Sequence, residues 1–221
     1  MRKRHTNKKN VTFFTTLYFL ASLLVLYVVT LGDLNFEFAV KLVTLLSLSF
    51  LYLETTPKVN YWYVVILLFS IVSDSLFVFE KHFYYEALFL LILNRFLYII
   101  IIYHSILKYP LKTLLLYAIP FVFIFSMIYL ILYEYVNDIQ LLVFIMGVVS
   151  ISLILFAFLN LLTKNNTKAL YFFLGVLIFP IADVLTAISN YISPSPYYIV
   201  IYHLMYYVAR YLIFRSMVLR R

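Results

Sequence analysis

Long apolar runs alternate with short polar breaks over nearly the whole chain. About twenty apolar residues in a helix are enough to cross the hydrocarbon core of a membrane. Pro57, Pro110, Pro194 and Pro196 fall in or beside the breaks, where an interrupted helical hydrogen-bond ladder is tolerated. The pattern predicts eight transmembrane helices, at residues 11–31, 35–53, 59–80, 83–106, 112–134, 139–163, 168–190 and 196–216.

The basic residues indicate how these spans are oriented. If the N-terminus is inside, thirteen Lys and Arg residues fall in inner segments and only Lys81 falls in an outer loop. An excess of Lys and Arg marks the cytoplasmic side, so both termini are predicted to be cytoplasmic. The first run is longer than a signal-peptide core, and no small-x-small cleavage site follows it. We therefore expect a basic tail at 1–10, one eight-helix domain at 11–216 and a tail at 217–221.

Composition supports this prediction and excludes some classes of site. With 66% hydrophobic and only 12% charged residues, the chain has the composition of an integral membrane protein. The net charge of +8 is explained by the cytoplasmic excess, so nucleic acid is not the expected partner. The absence of cysteine excludes disulfides, thiolate chemistry and cysteine-ligated metals. Few glycines and many Phe and Tyr residues predict helix packing by aromatic side chains.

Charged residues inside the predicted spans are the strongest functional signal. They are Lys41, Asp74, Arg95, Asp183 and Arg210, and such groups are costly at membrane depth unless they are paired or functional. The surroundings of Asp74 and Asp183 are similar, and a helix with a central Arg follows each of them. Helices 3–4 and 7–8 are therefore a possible parallel repeat.

Two interpretations of these charges remain open. The pairs Asp74 with Arg95 and Asp183 with Arg210 could lock helices together, or the four groups could line a functional cavity between helices 3, 4, 7 and 8. Polar residues at helical spacing favour the cavity, since such stripes usually face a bundle interior. The stripes contain Ser70, Ser73, Asp74, then Asp183, Thr186, Asn190, and on the last helix Tyr202, His203, Tyr206, Tyr207, Arg210.

Other chemistry has weaker support. The four histidines have no spacing typical of a metal site, so no metal or other cofactor is expected. Ser73 or Ser75 could act as a nucleophile beside Asp74, but a catalytic serine needs a base within reach, and His203 is the histidine placed in the middle of a span. No phosphate-binding loop or dinucleotide-binding motif is present.

The segments around both aspartates carry a family resemblance. LFSIVSDSLFVF is followed by FYYEALFLLILNRFLYI, and LGVLIFPIADVLTAI precedes YYIVIYHLMYYVARYLI, with Thr55-Thr56-Pro57 upstream. Over roughly residues 40–215 this resembles the YhhN family of eight-span membrane proteins, which includes lysoplasmalogenases. The resemblance implies that Asp74 and Asp183 are the two acidic catalytic positions. It also implies that the substrate is a lysophospholipid and the location a bacterial inner membrane.

The chain departs from the family pattern at four positions. The family Lys before helix 3 is Thr56 here, with Lys58 close by; the usual His of helix 4 is Arg95; the usual Gln near the end is Arg210; and the Ser before the second Asp is Ala182. Arg95, Arg210, Ser70, Ser73, Tyr98, His203, Tyr206 and Lys58 are the candidate substrate-binding or electrostatic residues. The leading hypothesis is hydrolysis of the vinyl ether of a lysoplasmalogen. The alternatives are a non-enzymatic lipid- or solute-binding protein or transporter, and a structural subunit.

Overall fold

A computed structural model describes residues 8–106 and 110–219, and these residues are almost entirely helical, with no strand among them. The long apolar runs become long helices because a helix satisfies its own backbone polar groups, which lipid cannot do. The elements are α1 (Lys8–Val28), α2 (Leu34–Thr55), α3 (Tyr61–Val78), α4 (Glu80–Ile106), α5 (Leu111–Tyr133), a 3₁₀ turn (Asn137–Ile139), α6 (Gln140–Lys164), α7 (Thr167–Ala187), a π-helical turn (Ile188–Ile192) and α8 (Pro196–Val218).

The helical architecture predicted from the apolar pattern is confirmed. The breaks between helices lie where proline and helix-capping residues occur, with Pro57 between α2 and α3 and Pro110 at the N-cap of α5. The side chains of Asp33 and Asn60 cap α2 and α3 by accepting hydrogen bonds from the first turn. Among the described residues, seven long helices are apolar enough to cross a membrane by length and composition, and α8 is the long helix there that falls outside this group.

The orientation of the termini and the internal repeat stay predictions. Much of the positive-inside signal comes from residues 2–4, Lys108 and Arg220–Arg221, which lie outside the described residues. The division into one eight-helix domain and two tails also stays a prediction. The seven spanning helices make the chain an integral membrane protein.

The described residues form two compact units. The first contains the chain up to Asn94 together with the residues from Met217 onwards. Its core is a packed series of α1, α2 and α3, in which the buried rings of Tyr52 and Tyr63 meet edge to face at 4.7 Å. Lys41 is explained within this unit, because it forms an ion pair one turn away with Glu37 on the same helix.

The second unit, Arg95–Ser216, contains much of the predicted aromatic packing. The ring of Phe158 on α6 contacts Tyr117 and Phe121 on α5 and Phe173 on α7, with centroids 5.8–6.1 Å apart. Aromatic pairs at this spacing contribute beyond the area they bury. The packing leaves α5 at the surface of the unit. No residue is buried in the most apolar stretch of this helix, which would cross the membrane.

One small residue is required where α7 meets α8. A Cβ at Gly175 would lie 2.6 Å from Cγ1 of Ile213 and 2.8 Å from the backbone oxygen of Ala209. The backbone oxygen cannot move aside as a flexible side chain can. Gly175 therefore allows the approach of the helix that carries Arg210 to the helix that carries Asp183.

We expect Gly175→Ala to lower the free energy of unfolding by about 1–3 kcal/mol because of this overpacking. Helix propensity alone would favour alanine by roughly 1 kcal/mol, so a net loss isolates the steric effect. The measurement is an SDS unfolding titration of the detergent-solubilised protein. Ser126→Ala, at an exposed position of α5, is the control and should change stability by less than about 0.5 kcal/mol. Wild-type stability of Gly175→Ala would show that the two helices do not need this contact.

Candidate functional site

The centre of the candidate site is an ion pair between α4 and α7. Nη2 of Arg95 lies 3.1 Å from Oδ1 and 2.9 Å from Oδ2 of Asp183. Arg95 is 2% exposed, and the side chain of Asp183 retains 14% exposure. The pairs considered from the sequence were Asp74 with Arg95 and Asp183 with Arg210. The observed pair of Arg95 with Asp183 is neither of these. The carboxylate of Asp183 is thus held through a single nitrogen, and a small part of its side chain stays exposed.

Aromatic rings extend this ion pair into a polar-aromatic ladder, which we define as Asp183, Arg95, Phe179, Tyr206 and Arg210. The guanidinium of Arg95 lies 3.9 Å from the ring centroid of Phe179. That ring is 5.3 Å from the ring of Tyr206. Arg210 lies over the Tyr206 ring at 4.3 Å and donates a hydrogen bond of 2.7 Å to its hydroxyl. Cation–π contacts of this kind help to stabilise buried arginines.

The guanidinium of Arg95 has donors that the ion pair does not use. Arginine carries five N–H bonds, of which Nη2 has two. Nε and Nη1 of Arg95 are buried and have no hydrogen-bond partner in the structure. Leaving a buried donor unsatisfied costs about 1–3 kcal/mol, and more for a charged group. Such a site needs an explanation, because buried polar groups are nearly always bonded.

The polar stripe predicted on helix 7 is shorter than expected. The Thr186 hydroxyl donates to the backbone oxygen of Ala182 at 3.0 Å. The α-helix ends at Ala187 and a π-helical turn follows over Ile188–Ile192. Its wider turn breaks the 3.6-residue spacing, and Asn190 is exposed. The expectation that Asn190 continues the stripe of Asp183 on a regular helix is therefore wrong.

Two further candidates, Tyr98 and His203, are buried in the second unit. The Tyr98 ring packs against Phe172 and Phe179 at 6.2 and 6.1 Å. Nδ1 of His203 lies 2.8 Å from the backbone oxygen of Ile199. A carbonyl only accepts, so this contact places a proton on Nδ1. The His203 ring also stacks on that of Tyr202 at 4.0 Å.

Asp74 lies in the first unit, on the face of α3 that meets α4. Asn94 Nδ2 donates to the Ser70 hydroxyl at 2.7 Å, and the Ser73 hydroxyl donates to the backbone oxygen of Ala87 at 3.1 Å. Asp74 is 8% exposed and lies one turn beyond Ser70. Ser70 and Ser73 thus connect two helices beside the carboxylate. Ser75 donates to the backbone oxygen of Ile71.

Lys58 differs from these buried groups because it is exposed. It is an exposed residue of the turn between α2 and α3. In the same turn, the N–H of Asn60 donates to the hydroxyl of Tyr52 at 2.8 Å. No three His, Cys, Asp or Glu side chains are grouped as a metal site among the residues that the structure describes.

Sequence reasoning missed Phe179 and Asn94. Phe179 is four residues before Asp183, so both lie on one face of α7. This spacing could have predicted that the two side chains lie close together. Asn94 precedes Arg95 inside an apolar span, where an amide is costly enough to merit attention.

Comparison with known proteins gives one match. Residues 36–217 match the YhhN family, which is most of the chain and confirms the resemblance drawn from the motifs. No curated protein and no solved structure gives a significant match.

Proposed function

Since the chain belongs to the YhhN family, which suggests a lysoplasmalogenase-like function at the level of the family, we propose that it hydrolyses the vinyl ether bond of a lysoplasmalogen within the membrane. The observation that carries the proposal is the partly exposed carboxylate of Asp183, held by Arg95 inside an apolar helix bundle. An intramembrane ionisable group indicates function by default.

The reaction is a hydrolysis in which a proton is first added to carbon. Protonation of the vinyl carbon remote from the ether oxygen gives an oxocarbenium cation. Water adds to the carbon bonded to oxygen and loses a proton, giving a hemiacetal. The hemiacetal collapses to a fatty aldehyde and the free hydroxyl of the glycerophospho head group. One carboxyl group that donates a proton and one carboxylate that stabilises the cation meet these demands, as in glycoside hydrolysis.

We assign the carboxylate role to Asp183 and the proton-donor role to Asp74. Asp183 is the anionic partner of Arg95, and a negative charge is what the cation requires. A carboxylate has about four acceptor sites, and Arg95 approaches through one nitrogen. The remaining sites can orient water or face the cation. The buried Asp74 is then the carboxyl group that supplies the proton.

The proposed chemistry defines the reactants, and the family resemblance supports the location. A lysophospholipid and water are the only reactants, so the proposed reaction needs no cofactor. A single-chain lipid reaches an intramembrane site from the bilayer itself. We place the protein in a bacterial inner membrane, on the resemblance, with membrane lipids as its surroundings and no nucleic-acid partner.

A binding protein or transporter is the second candidate. The observation that favours it is that Arg95 already neutralises Asp183, since balanced intramembrane charges are also typical of transport sites. In that case the protein would bind or move a lipid or small solute without cleaving it.

The test is to supply purified wild-type protein in liposomes with a lysoplasmalogen and to measure the released aldehyde. We expect aldehyde from the vinyl ether lipid and no fatty acid from the matched ester lysolipid, whose hydrolysis would release the acid, because an ester cannot form the oxocarbenium ion by protonation at carbon. Lack of turnover of every ether and ester lysolipid would exclude the enzyme. Flux of an uncleaved lipid or solute into the same liposomes would then support the second candidate.

A further inference from the structure

We propose that Arg95 is a phosphate-binding residue, and that its Nε and Nη1 groups take an oxygen of the phosphodiester of a single-chain lipid. The inference rests on the proposed function for the choice of lipid. It goes beyond that function by naming the group that recognises the head group.

The guanidinium of Arg95, from which the inference starts, has one nitrogen that is hydrogen-bonded and two that are not. Asp183 engages Nη2 alone, through both of its oxygens. Nε and Nη1 are buried without a hydrogen-bond partner. Three N–H bonds of a permanently charged group therefore have no acceptor in the structure.

The surroundings limit where that acceptor can approach. The ring of Phe179 covers one face of the guanidinium at 3.9 Å. Asp183 occupies the end at Nη2. An incoming oxygen must therefore lie near the guanidinium plane at Nε or Nη1, which is the geometry in which arginine binds phosphate and carboxylate oxygens.

The chemical class of the ligand follows from charge and setting. Phe179 and Asp183 hold the guanidinium in place, so little side-chain freedom is lost on binding. A phosphodiester carries one negative charge and two unesterified oxygens, and it is the anionic group shared by lysophospholipids whose phosphate is esterified to a head-group alcohol. A neutral head group would offer weaker acceptors, because charge-assisted hydrogen bonds are roughly twice as strong as neutral ones.

The experiment measures binding of an alkylphosphocholine, which has a phosphodiester and one chain but no vinyl ether. The full-length protein is kept in an alkyl maltoside of the same chain length, which serves as the neutral amphiphile. We expect saturable binding by calorimetry in wild type and at least about tenfold weaker binding in Arg95→Gln. Arg95→Lys keeps the charge without the planar fork and should bind with intermediate affinity. The matched control is Arg215→Gln, at an exposed arginine of α8, which should bind as wild type does.

A second variant keeps the test decisive if Arg95→Gln alone does not fold. Arg95→Gln with Asp183→Asn replaces the ion pair by two amides, which can bond to each other without a buried charge. We expect it to fold and to lose the same affinity. Wild-type affinity in this double variant, or equal affinity of wild type for the phosphate amphiphile and a neutral one, would overturn the proposal.

Two further arms separate the ligand source and the enzyme hypothesis. Competition by inorganic phosphate would identify phosphate itself as the bound group, whereas binding of the alkylphosphocholine alone would identify a lipid; both support the site. Protein that binds the probe through Arg95 but cleaves no lysoplasmalogen would refute the proposed function alone. Turnover without any Arg95-dependent probe binding would refute this inference alone.

Discussion

Asp183→Asn is expected to lower the rate of aldehyde release from a lysoplasmalogen by at least about a hundredfold, the usual effect of removing a group that stabilises transition-state charge. Asparagine keeps the size and one acceptor oxygen of aspartate but has no negative charge to offer an oxocarbenium ion. Asp74→Asn is expected to cause a loss of similar size, because an amide cannot donate a proton to carbon. Both rates are measured as initial rates of aldehyde formation at saturating lipid.

The control for this prediction is Asp138→Asn, since Asp138 is an exposed carboxylate in the connection before α6. It makes the same chemical change outside the polar-aromatic ladder and should leave the rate within about twofold of wild type. Asp183→Glu retains the charge on a longer side chain and is expected to keep part of the activity. If Asp183→Asn and Asp74→Asn both turn over as fast as Asp138→Asn, neither carboxylate takes part in the reaction.

Arg95→Met is expected to lower the free energy of unfolding by about 3–5 kcal/mol, because removal of one partner of a buried ion pair leaves the other charge uncompensated. The pair with Asp183 is buried on the arginine side and only partly exposed on the carboxylate side. Methionine fills much of the same volume, so the loss reports mainly on charge. Unfolding by SDS, followed by loss of helical circular dichroism, gives the free energy.

A double-mutant cycle separates the ion pair from the packing of Arg95. The variant with Arg95→Met and Asp183→Leu removes both charges and should regain most of the lost stability, since an apolar replacement of a buried pair is often neutral or better. Arg215→Met, at an exposed position of α8, should change stability by less than about 0.5 kcal/mol. Equal stabilities of Arg95→Met and Arg215→Met would mean that the ion pair contributes nothing to the fold.

The rate of aldehyde release and the free energy of unfolding report on two different roles of the Arg95–Asp183 ion pair. A structural subunit would depend on the Arg95–Asp183 pair for stability and would show no lysolipid turnover. An enzyme would depend on it for both, and the apolar double variant would then be stable but inactive. That combination of results would separate a catalytic carboxylate from one that only holds α4 against α7.

Most of the helical architecture could be predicted from the apolar runs. The breaks predicted between runs lie at the ends of the observed helices, because length, proline and capping residues act locally. The aspartates could be singled out for a similar local reason: a carboxylate in an apolar span is expensive wherever its partner is. The partner of Asp183 could not be predicted from local sequence in this way. Arg95 and Asp183 are 88 residues apart in the chain, and only the packing of α4 on α7 brings them together.

The wrong placement of Asn190 has a physical cause of the same kind. Asn190 was placed on the face of Asp183 by a constant helical period, and the π-helical turn at Ile188–Ile192 breaks that period. The binding role of Ser70 and Ser73 stays a prediction, and the sequence did not reveal that their hydroxyls bond to Asn94 and to the backbone of Ala87. Such contacts depend on which helix lies opposite.

The sequence by itself determined that this chain is a helical membrane protein of the YhhN family with two carboxylates in its spans, because hydropathy, helix length and motif are properties of consecutive residues. Only the tertiary structure decided which charge meets which and that Phe179 covers the guanidinium of Arg95. It also decided that Arg95 keeps buried donors beyond its ion pair. Those features arise from side chains on different helices, and their distances are fixed by packing.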